Sequence, residues 1–413
     1  MGATFWLFPA IKMNLDIQNH SKMGKMNIIM LTSNMVNQGT YWRTFEFAKR
    51  LVDIGHDVTI IATSPKNKNK ISVIKQDGIT LVLMPDLFKG PLRSGWDPYN
   101  TLMRINYIKS QRYNFQIVHA FESRPTVIYP SLIMQKKGAK LVMDWCDWFG
   151  RGGSVEERPN PIIRTLLRPF ETYYEEHFRS RALATTVICT TLRNRAIYLG
   201  VKENTITIIP NGLNNSNINY IDKFEARRRL KLDRNLFIVG YIGSIFLQDV
   251  KFMAESCDQI TKYITNVKFV HIGYTNYPLL KFVSNPDTVI QTGTIPQNIL
   301  YDYLAACDLC WLPFKNTNAN KGRFPYKLSD YLSLGKSIVA TNVGDLAEFI
   351  KRENVGVVSQ DNPLDFSQKT IDLLLDNNKR EWYEKQAAVI SRDPKYSWEE
   401  RSRQLEKIYK ELI

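Results

Sequence analysis

No apolar run in this 413-residue chain reaches the ~18–20 residues that a bilayer-spanning helix needs, so a soluble or peripheral protein is expected. Cysteine is scarce. Cys146, Cys189, Cys257, Cys307 and Cys310 are odd in number and fit a reducing compartment rather than a disulfide framework. Cys307 and Cys310 form a CxxC where an alanine-rich helix end (Leu304, Ala305, Ala306) meets an apolar strand. A redox pair or zinc half-site needs a helix N-terminus or a second ligand pair, and neither is there, so core cysteines are expected. Five histidines give no Ser/His/Asp order and no metal-ligand cluster. No GxGxxG follows the first predicted strand and no GxxxxGK[ST] occurs, so the dinucleotide and P-loop fingerprints are missing.

What is present describes a two-domain globular protein. The length exceeds one average domain, and 44% apolar with 12% aromatic residues can bury ordinary cores. Lysine and arginine exceed aspartate and glutamate by 55 − 40 = 15. That surplus favours anionic partners: phosphates, nucleic acid or an anionic membrane face. Nucleic acid is set aside because the basic residues are spread over both halves and no reader motif occurs. Residues 1–26 read as a poorly ordered extension, with Met23 or Met26 as alternative natural starts. Ala3 to Ile11 lacks the basic flank of a secretion signal, and Trp6 stands where myristoylation wants Ser or Thr.

From Asn27 onward, short β-branched runs alternate with amphipathic stretches. Ile28–Thr32, Val58–Ala62, Thr80–Met84, Gln116–Ala120, Lys140–Met143, Thr186–Cys189 and Ile206–Ile209 are predicted strands of the first half. Ile238–Ile242, Lys268–Ile272, Thr288–Thr292, Leu309–Pro313, Ser337–Thr341 and Val355–Val358 follow in the second. They are apolar on both faces, as in parallel sheets covered by helices, and the βα order predicts doubly wound α/β domains. The first helix shows an apolar stripe (Tyr41, Phe45, Ala48, Leu51, Val52) after a turn and N-cap at Gly39 and Thr40, and ends at Gly55. Turn formers from Pro210 to Asn217 divide the chain into domains at 27–210 and 218–395, with a linker over 211–217. A capping box at Ser397 and Glu400 opens a last helix within 396–413.

One stretch reads as an anion site. In KGRFPYKLSDYLSLG (Lys321–Gly335), Pro325 suits a first helical position, with Arg323 in the extended approach and Lys327 in the first turn. Free amides flanked by two cations make a diphosphate cradle, and Asp330 lies on the Lys327 face, where it can accept from ribose hydroxyls. The same spacing also describes an exposed Lys327–Asp330 pair with no further role.

The second half resembles the family 4-type retaining glycosyltransferases of the GT-B fold. The resemblance rests on FPYKLSDYLSLGKSIVATNVGDLAEFI (Phe324–Ile350), VGYIGS (Val239–Ser244), HIG (His271–Gly273), TGTIPQNILYDYLAACDLCWLPF (Thr292–Phe314) and IPNG (Ile209–Gly212). In the first half it rests on the glycine turn at Gly39 and on GHDVTIIAT (Gly55–Thr63). It implies two facing Rossmann-like domains, an acceptor side and a donor side, with the C-terminal helix crossing back to the first. It also implies a nucleotide diphosphate-sugar as co-substrate, with UDP or GDP as the nucleotide, and no metal or other cofactor. Asp330 would stand for the second acid of the family's Glu-x7-Glu, on the ribose, while Gly322 replaces the first, which contacts the sugar. The basic pair usual after the VGYIGS-like strand is absent, since Phe246, Leu247 and Gln248 follow it, so Arg323 and Lys327 would carry the diphosphate. Gly39, Thr40, Ser244 and Tyr326 would border the donor, Thr294 and Ile295 the base, and Gly344 and Glu348 would match a Gly-x-x-x-Glu near it. In KLVMDWCDWFGRGG (Lys140–Gly153), Cys146 and Asp147 stand where the family has His-Asp, so Asp147 joins the catalytic candidates, with Asp144, Trp145 and Arg151 on the acceptor side. DxxD at Asp144 and Asp147 is not a metal-binding DxD. His119 reads as a satisfied strand-end histidine.

The implied reaction is hexosyl transfer with retention to a glycan or lipid-linked acceptor, in the cytoplasm or peripherally on the cytoplasmic face of a membrane. In PIIRTLLRPFETYYEEH (Pro161–His177), apolar and aromatic residues recur at helical spacing beside arginines, and Lys66, Lys68, Lys70 and Lys75 crowd an earlier loop. An anionic lipid surface would suit both, although such a helix usually packs on its own sheet and Pro169 interrupts this one. Two rivals stand beside this reading: an epimerase or phosphorylase on the same fold, and a catalytically degenerate protein acting as a basic binding module.

Overall fold

The computed structural model describes residues 24–66, 69–87, 95–111, 114–213 and 221–413. The extension through residue 23, Lys68 and linker positions 214–217 lie outside the described residues.

The alternating runs assemble into two sheets. The first contains β1 (Asn27–Met35), β2 (Asp57–Thr63), β3 (Ser72–Gln76), β4 (Ile79–Met84), β5 (Ile117–Phe121), β6 (Lys140–Trp145), β7 (Ala184–Val187) and β8 (Ile206–Ile208), ordered β3-β4-β2-β1-β5-β6-β7-β8. The second contains β9 (Phe237–Ile242), β10 (Val267–Ile272), β11 (Val289–Gly293), β12 (Leu309–Leu312), β13 (Ser337–Thr341) and β14 (Gly356–Ser359), ordered β11-β10-β9-β12-β13-β14. Every described pairing is parallel except β3 with β4. The expected doubly wound α/β architecture is the one that forms. β7 lies two residues before its predicted start, because Ile188 and Cys189 lead into the next helix as its entry and N-cap.

The first domain carries α1 (Tyr41–Asp53), α2 (Pro98–Ser110), α3 (Pro125–Lys136), α4 (Pro161–His177) and α5 (Thr190–Tyr198). The second carries α6 (Lys223–Arg229), α7 (Leu247–Thr261), α8 (Gln297–Ala306), α9 (Asn318–Lys321), α10 (Lys327–Ser333), α11 (Gly344–Arg352), α12 (Pro363–Leu375) and α13 (Asn377–Arg392). The last helix, α14 (Trp398–Leu412), returns to the first domain as expected. Ser397 caps it by accepting from the Glu400 amide at 3.1 Å, and Trp398 meets Phe47 edge-on at 5.2 Å. Tyr409 Oη lies 2.6 Å from His119 Nδ1. His119 is in the middle of β5 rather than at its end, and burial pushes its pKa down to about 3, so it is a neutral core histidine. All five cysteines are free and buried. Among the described residues, no helix is long and apolar enough to cross a membrane.

Both sheets place their switch points at the cleft between the domains. The first winds outward from β1 through β2 to one side and β5 to the other; the second does so from β9 through β10 and β12. At such a point two loops leave in opposite directions beyond the strand ends and open a crevice, which is where open α/β sheets bind ligands.

Candidate active site

On the first-domain side, the turn after β1, the end of β5 and the loop after β6 line a cavity of about 370 Å³. Gly39 has φ +53°, and a Cβ there would lie 2.6 Å from Asn34 Nδ2, so glycine suits this turn into α1. Thr40 is not the side-chain cap that the sequence predicts. It has helical φ and ψ, and its hydroxyl donates to Glu122 Oε1 at 2.6 Å. Glu122 also accepts from Ser33 Oγ at 2.8 Å and holds φ +77°, a rare state for a glutamate. It was not singled out from sequence, where it is only the residue after IVHAF.

The loop after β6 splits its candidates by burial. Asp144 is fully buried and takes a bidentate bond from Arg43, 2.9 Å to each oxygen, while Thr186 Oγ1 donates at 2.5 Å. Burial pushes its carboxyl up, but Arg43 outweighs that and leaves it below its ordinary value. Trp145 is also fully buried, under Arg179, and its indole N–H donates to the Asp147 carbonyl at 2.7 Å. The acceptor-side reading of Asp144 and Trp145 is therefore corrected: they are supports of the loop, out of reach of any acceptor. Arg151 is exposed near its rim. Asp147 does face the cleft. Burial raises its pKa to about 6 against the pull of Arg323, 3.3 Å away.

Arg323 meets that loop from the second domain. Besides Asp147, it donates to Asn320 Oδ1 at 2.5 Å, and its Nη2 stands 3.8 Å from Glu157 Oε2. Glu157 also accepts from Thr317 Oγ1 across the cleft at 2.9 Å. In this state the guanidinium latches the domains together, so it reaches a phosphate only after these contacts open. Asn211, in the hinge, accepts from Arg43 and donates to the Phe324 carbonyl.

Lys327 reaches the other switch point. Its Nζ lies 3.8 Å from the centre of the Tyr241 ring, at the end of β9 and beside Gly243. Gly243 and Gly273 have φ +100° and +132°, and a Cβ on Gly273 would approach the Gly243 backbone to 3.2 Å. Only glycines let these two strand ends close into a flat floor. Burial lowers the Lys327 pKa to about 7, with Asp249 opposing and Arg323 adding to the drop. Asp249 itself is buried with Oδ1 unpartnered, and burial raises it to about 6. Among the described residues the half-buried Asp330 carboxylate has no hydrogen-bond or ion-pair partner, so the bland Lys327–Asp330 pair does not form. Burial alone raises its pKa to about 7.

The remaining candidates divide. Ser244 follows Gly243 and is exposed; Thr294 and Ile295 follow Gly293, whose carbonyl takes the Gly273 amide at 3.0 Å. These positions share one edge with Lys327. Helix α10 starts at Lys327, two residues after the predicted Pro325, and spans only seven residues. The Tyr326 side chain is turned away and stacks on Trp398. Gly344 lies against the Lys321 carbonyl, 3.0 Å from where its Cβ would be. The apolar stripe of α11 turns Glu348 to solvent, where it pairs with Lys351 at 3.1 Å. At Gly322 a Cβ would stand 3.3 Å from Trp148 Cβ, so the loop after β6 occupies the space of the missing acid. Among the described residues, no group of three His, Cys, Asp or Glu could hold a metal ion.

Residues 39–217 match the family described as Glycosyltransferase Family 4, and residues 236–376 match Glycosyl transferases group 1. A protein of Bacillus subtilis (strain 168), named as a candidate teichuronic acid biosynthesis glycosyltransferase, TuaH, is 30% identical over 104 residues. That stretch spans 25% of this chain and 26% of the relative. Among solved structures, sucrose-phosphate synthase from Thermosynechococcus elongatus superposes with TM-score 0.72 at 14% identity, over 94% of this chain and 99% of that one. WaaG, a glycosyltransferase involved in lipopolysaccharide biosynthesis, gives 0.68 at 14% over 92% and 99%. Anabaena Alr3699/HepE in complex with UDP gives 0.66 at 14% over 94% and 100%. At these identities the superpositions establish the fold alone.

Proposed function

Because this chain belongs to the group 1 glycosyltransferases of the GT-B fold, we propose that it moves a hexosyl group from a nucleotide diphosphate-sugar to a glycan or lipid-linked acceptor. The reading includes retention, no metal, and action at the cytoplasmic face of a membrane. The observation that carries it is Lys327 over the glycine floor of β9 and β10, one turn from the unpaired Asp330. A desolvated ammonium beside a flat backbone suits a diphosphate, and a free carboxylate at that distance suits ribose hydroxyls. UDP-bound Alr3699/HepE, of the same fold, makes a nucleotide ligand reasonable there. Departure of the nucleotide builds negative charge on phosphate oxygens, which Lys327 neutralises and Arg323 joins once its latch opens. The two carboxylates lining the cavity, Glu122 and Asp147, are engaged by Ser33, Thr40 and Arg323, so in this reading the acceptor attacks from the face the phosphate leaves, and that phosphate takes the acceptor proton. Domain closure about Asn211 excludes water. A metal-free course is supported by the engagement of Asp144 with Arg43, which removes it as a partner for Asp147.

Thermal-shift screening with UDP-, GDP- and ADP-sugars in EDTA tests the reading. One donor should stabilise the protein, and free nucleotide should appear only when an acceptor is added. Nucleotide-independent melting, or a strict Mn²⁺ or Mg²⁺ requirement, would sink it.

The titrating groups give a pH dependence. Asp330 must be ionised to accept from ribose, so activity rises through about 7. Lys327 must be charged to hold phosphate, so activity falls as pH passes about 7. kcat/KM for the donor should therefore be bell-shaped, and Lys327→Arg should push out the alkaline limb alone. A flat profile between about pH 6 and 9 contradicts this assignment.

A further inference from the structure

Helix α4 is inside out. Its buried residues are Glu171, Thr172 and Glu175, while Ile162, Leu166 and Phe170 stand 69, 63 and 59% exposed. Ile163 and Tyr173 continue the same stripe, also exposed. The helix runs unbroken through Pro169, against expectation, and Asn160 caps it by accepting from the amides of Ile162 and Ile163. None of its first ten residues is buried.

The polar face holds the helix to the protein. Glu171 pairs with Arg158 at 3.1 Å, and Glu175 accepts from the amides of Phe149 and Gly150 at 2.7 and 2.8 Å. Thr172 accepts from the Arg151 amide at 2.9 Å. These are residues of the loop that carries Asp147. Beyond the stripe, Trp96, Leu102 and Tyr129 extend the apolar surface along a groove between α2, α3 and α4. The first ten residues of α4 carry Arg164 and Arg168 and no acid; Arg168 pairs with Glu156 at 2.9 Å, Arg164 meets only the Glu156 carbonyl, and exposed Arg151 lies nearby. Lys66, Lys70 and Lys75 do not share this surface. They flank or lie on β3, five strand spacings from β6, or about 24 Å.

We propose that α4 is a bilayer-docking helix: its apolar stripe enters the interface of an anionic membrane, its arginines meet the lipid phosphates, and its buried acids hold the cleft loop in register with that surface. Charge decides for anionic lipid, since three arginines (Arg151, Arg164 and Arg168) against the single acid Glu156 leave this end of the helix cationic, which complements phosphate headgroups and repels a second copy of itself. The inference rests on the membrane-side acceptor reading above and names the surface that serves it.

Sedimentation of the full chain with extruded vesicles, without donor or acceptor, tests it. The protein should pellet with phosphatidylglycerol-containing vesicles at low salt, stay in solution with phosphatidylcholine alone, and detach as salt rises. Leu166→Glu with Phe170→Glu should weaken partitioning by on the order of tenfold or more, with an unchanged circular dichroism spectrum. Val389→Glu, on exposed α13, should change nothing. The proposal is overturned if the parent stays in the supernatant with purely anionic vesicles, or if the double variant pellets equally. It is overturned too if lipid-free protein forms a dimer that the double substitution dissolves. A chain that pellets but transfers no sugar keeps this surface and loses the reaction read above; one that glycosylates a soluble acceptor but never pellets does the reverse.

Discussion

Lys327→Ala is expected to lower kcat/KM by ~10²–10³, the loss of about 2–4 kcal/mol of leaving-group stabilisation. The size follows from where the ammonium sits. Packed on Tyr241 and half-buried beside Gly243, it meets the developing phosphate charge with less screening than in open solvent. The contact holds the bound diphosphate and strengthens as the nucleotide leaves, so kcat should fall and KM for the donor should rise. Lys327→Met, which keeps the packing, should lose as much, and that separates charge from shape. Arg323→Ala should lose activity to a similar extent, while also freeing Asp147 and Glu157. Near-normal turnover in folded variants of both would mean that the diphosphate binds elsewhere.

Arg43→Met should cost the first domain about 3–5 kcal/mol, because it leaves Asp144 charged, buried and without its principal partner. Arg43 bonds both Asp144 oxygens, the Ile209 carbonyl and Asn211, so one guanidinium ties α1, β6 and the hinge. A melting shift of roughly 10 °C follows for a domain of this size. Arg43→Met with Asp144→Leu should recover much of the loss, since an apolar pair carries no desolvation penalty. If the single variant melts within about 2 °C of the parent, the strut is unimportant.

Strands covered on both faces were legible because burial on both faces leaves a continuous apolar run. β3 was not: SVIKQ is an edge strand with four of its five residues exposed, and its sequence looks like loop. Lys327 and Asp330 were legible as a charged pair after a proline, but not their separation, which depends on Tyr241 and Gly243 some 85 residues earlier. Arg43 carries no signal, since a cation inside an apolar helix stripe usually points to solvent. Asp144 and Trp145 read as functional for the same reason that Glu122 and Glu157 read as ordinary. One sequence reports residue type, whereas depth is set by partners 42 to 160 positions away. α4 misleads in another way. Its period is right, but periodicity gives the stripe and not which side of it meets the protein.

Tyr326 and Lys327 are neighbours in the chain yet anchored to opposite bodies, one stacked on Trp398 against the first core, the other laid on Tyr241 in the second. A rotation about Asn211 that opens the cleft would pull these two anchors apart and so strain the contact between the ammonium and its floor. Nucleotide affinity and interdomain angle are then a single coordinate. By reciprocity, whatever props the domains apart weakens nucleotide binding by the same factor by which nucleotide resists the prop. Through this link, rather than a separate sensor, bound nucleotide would favour the closed angle that the Arg323 latch already holds.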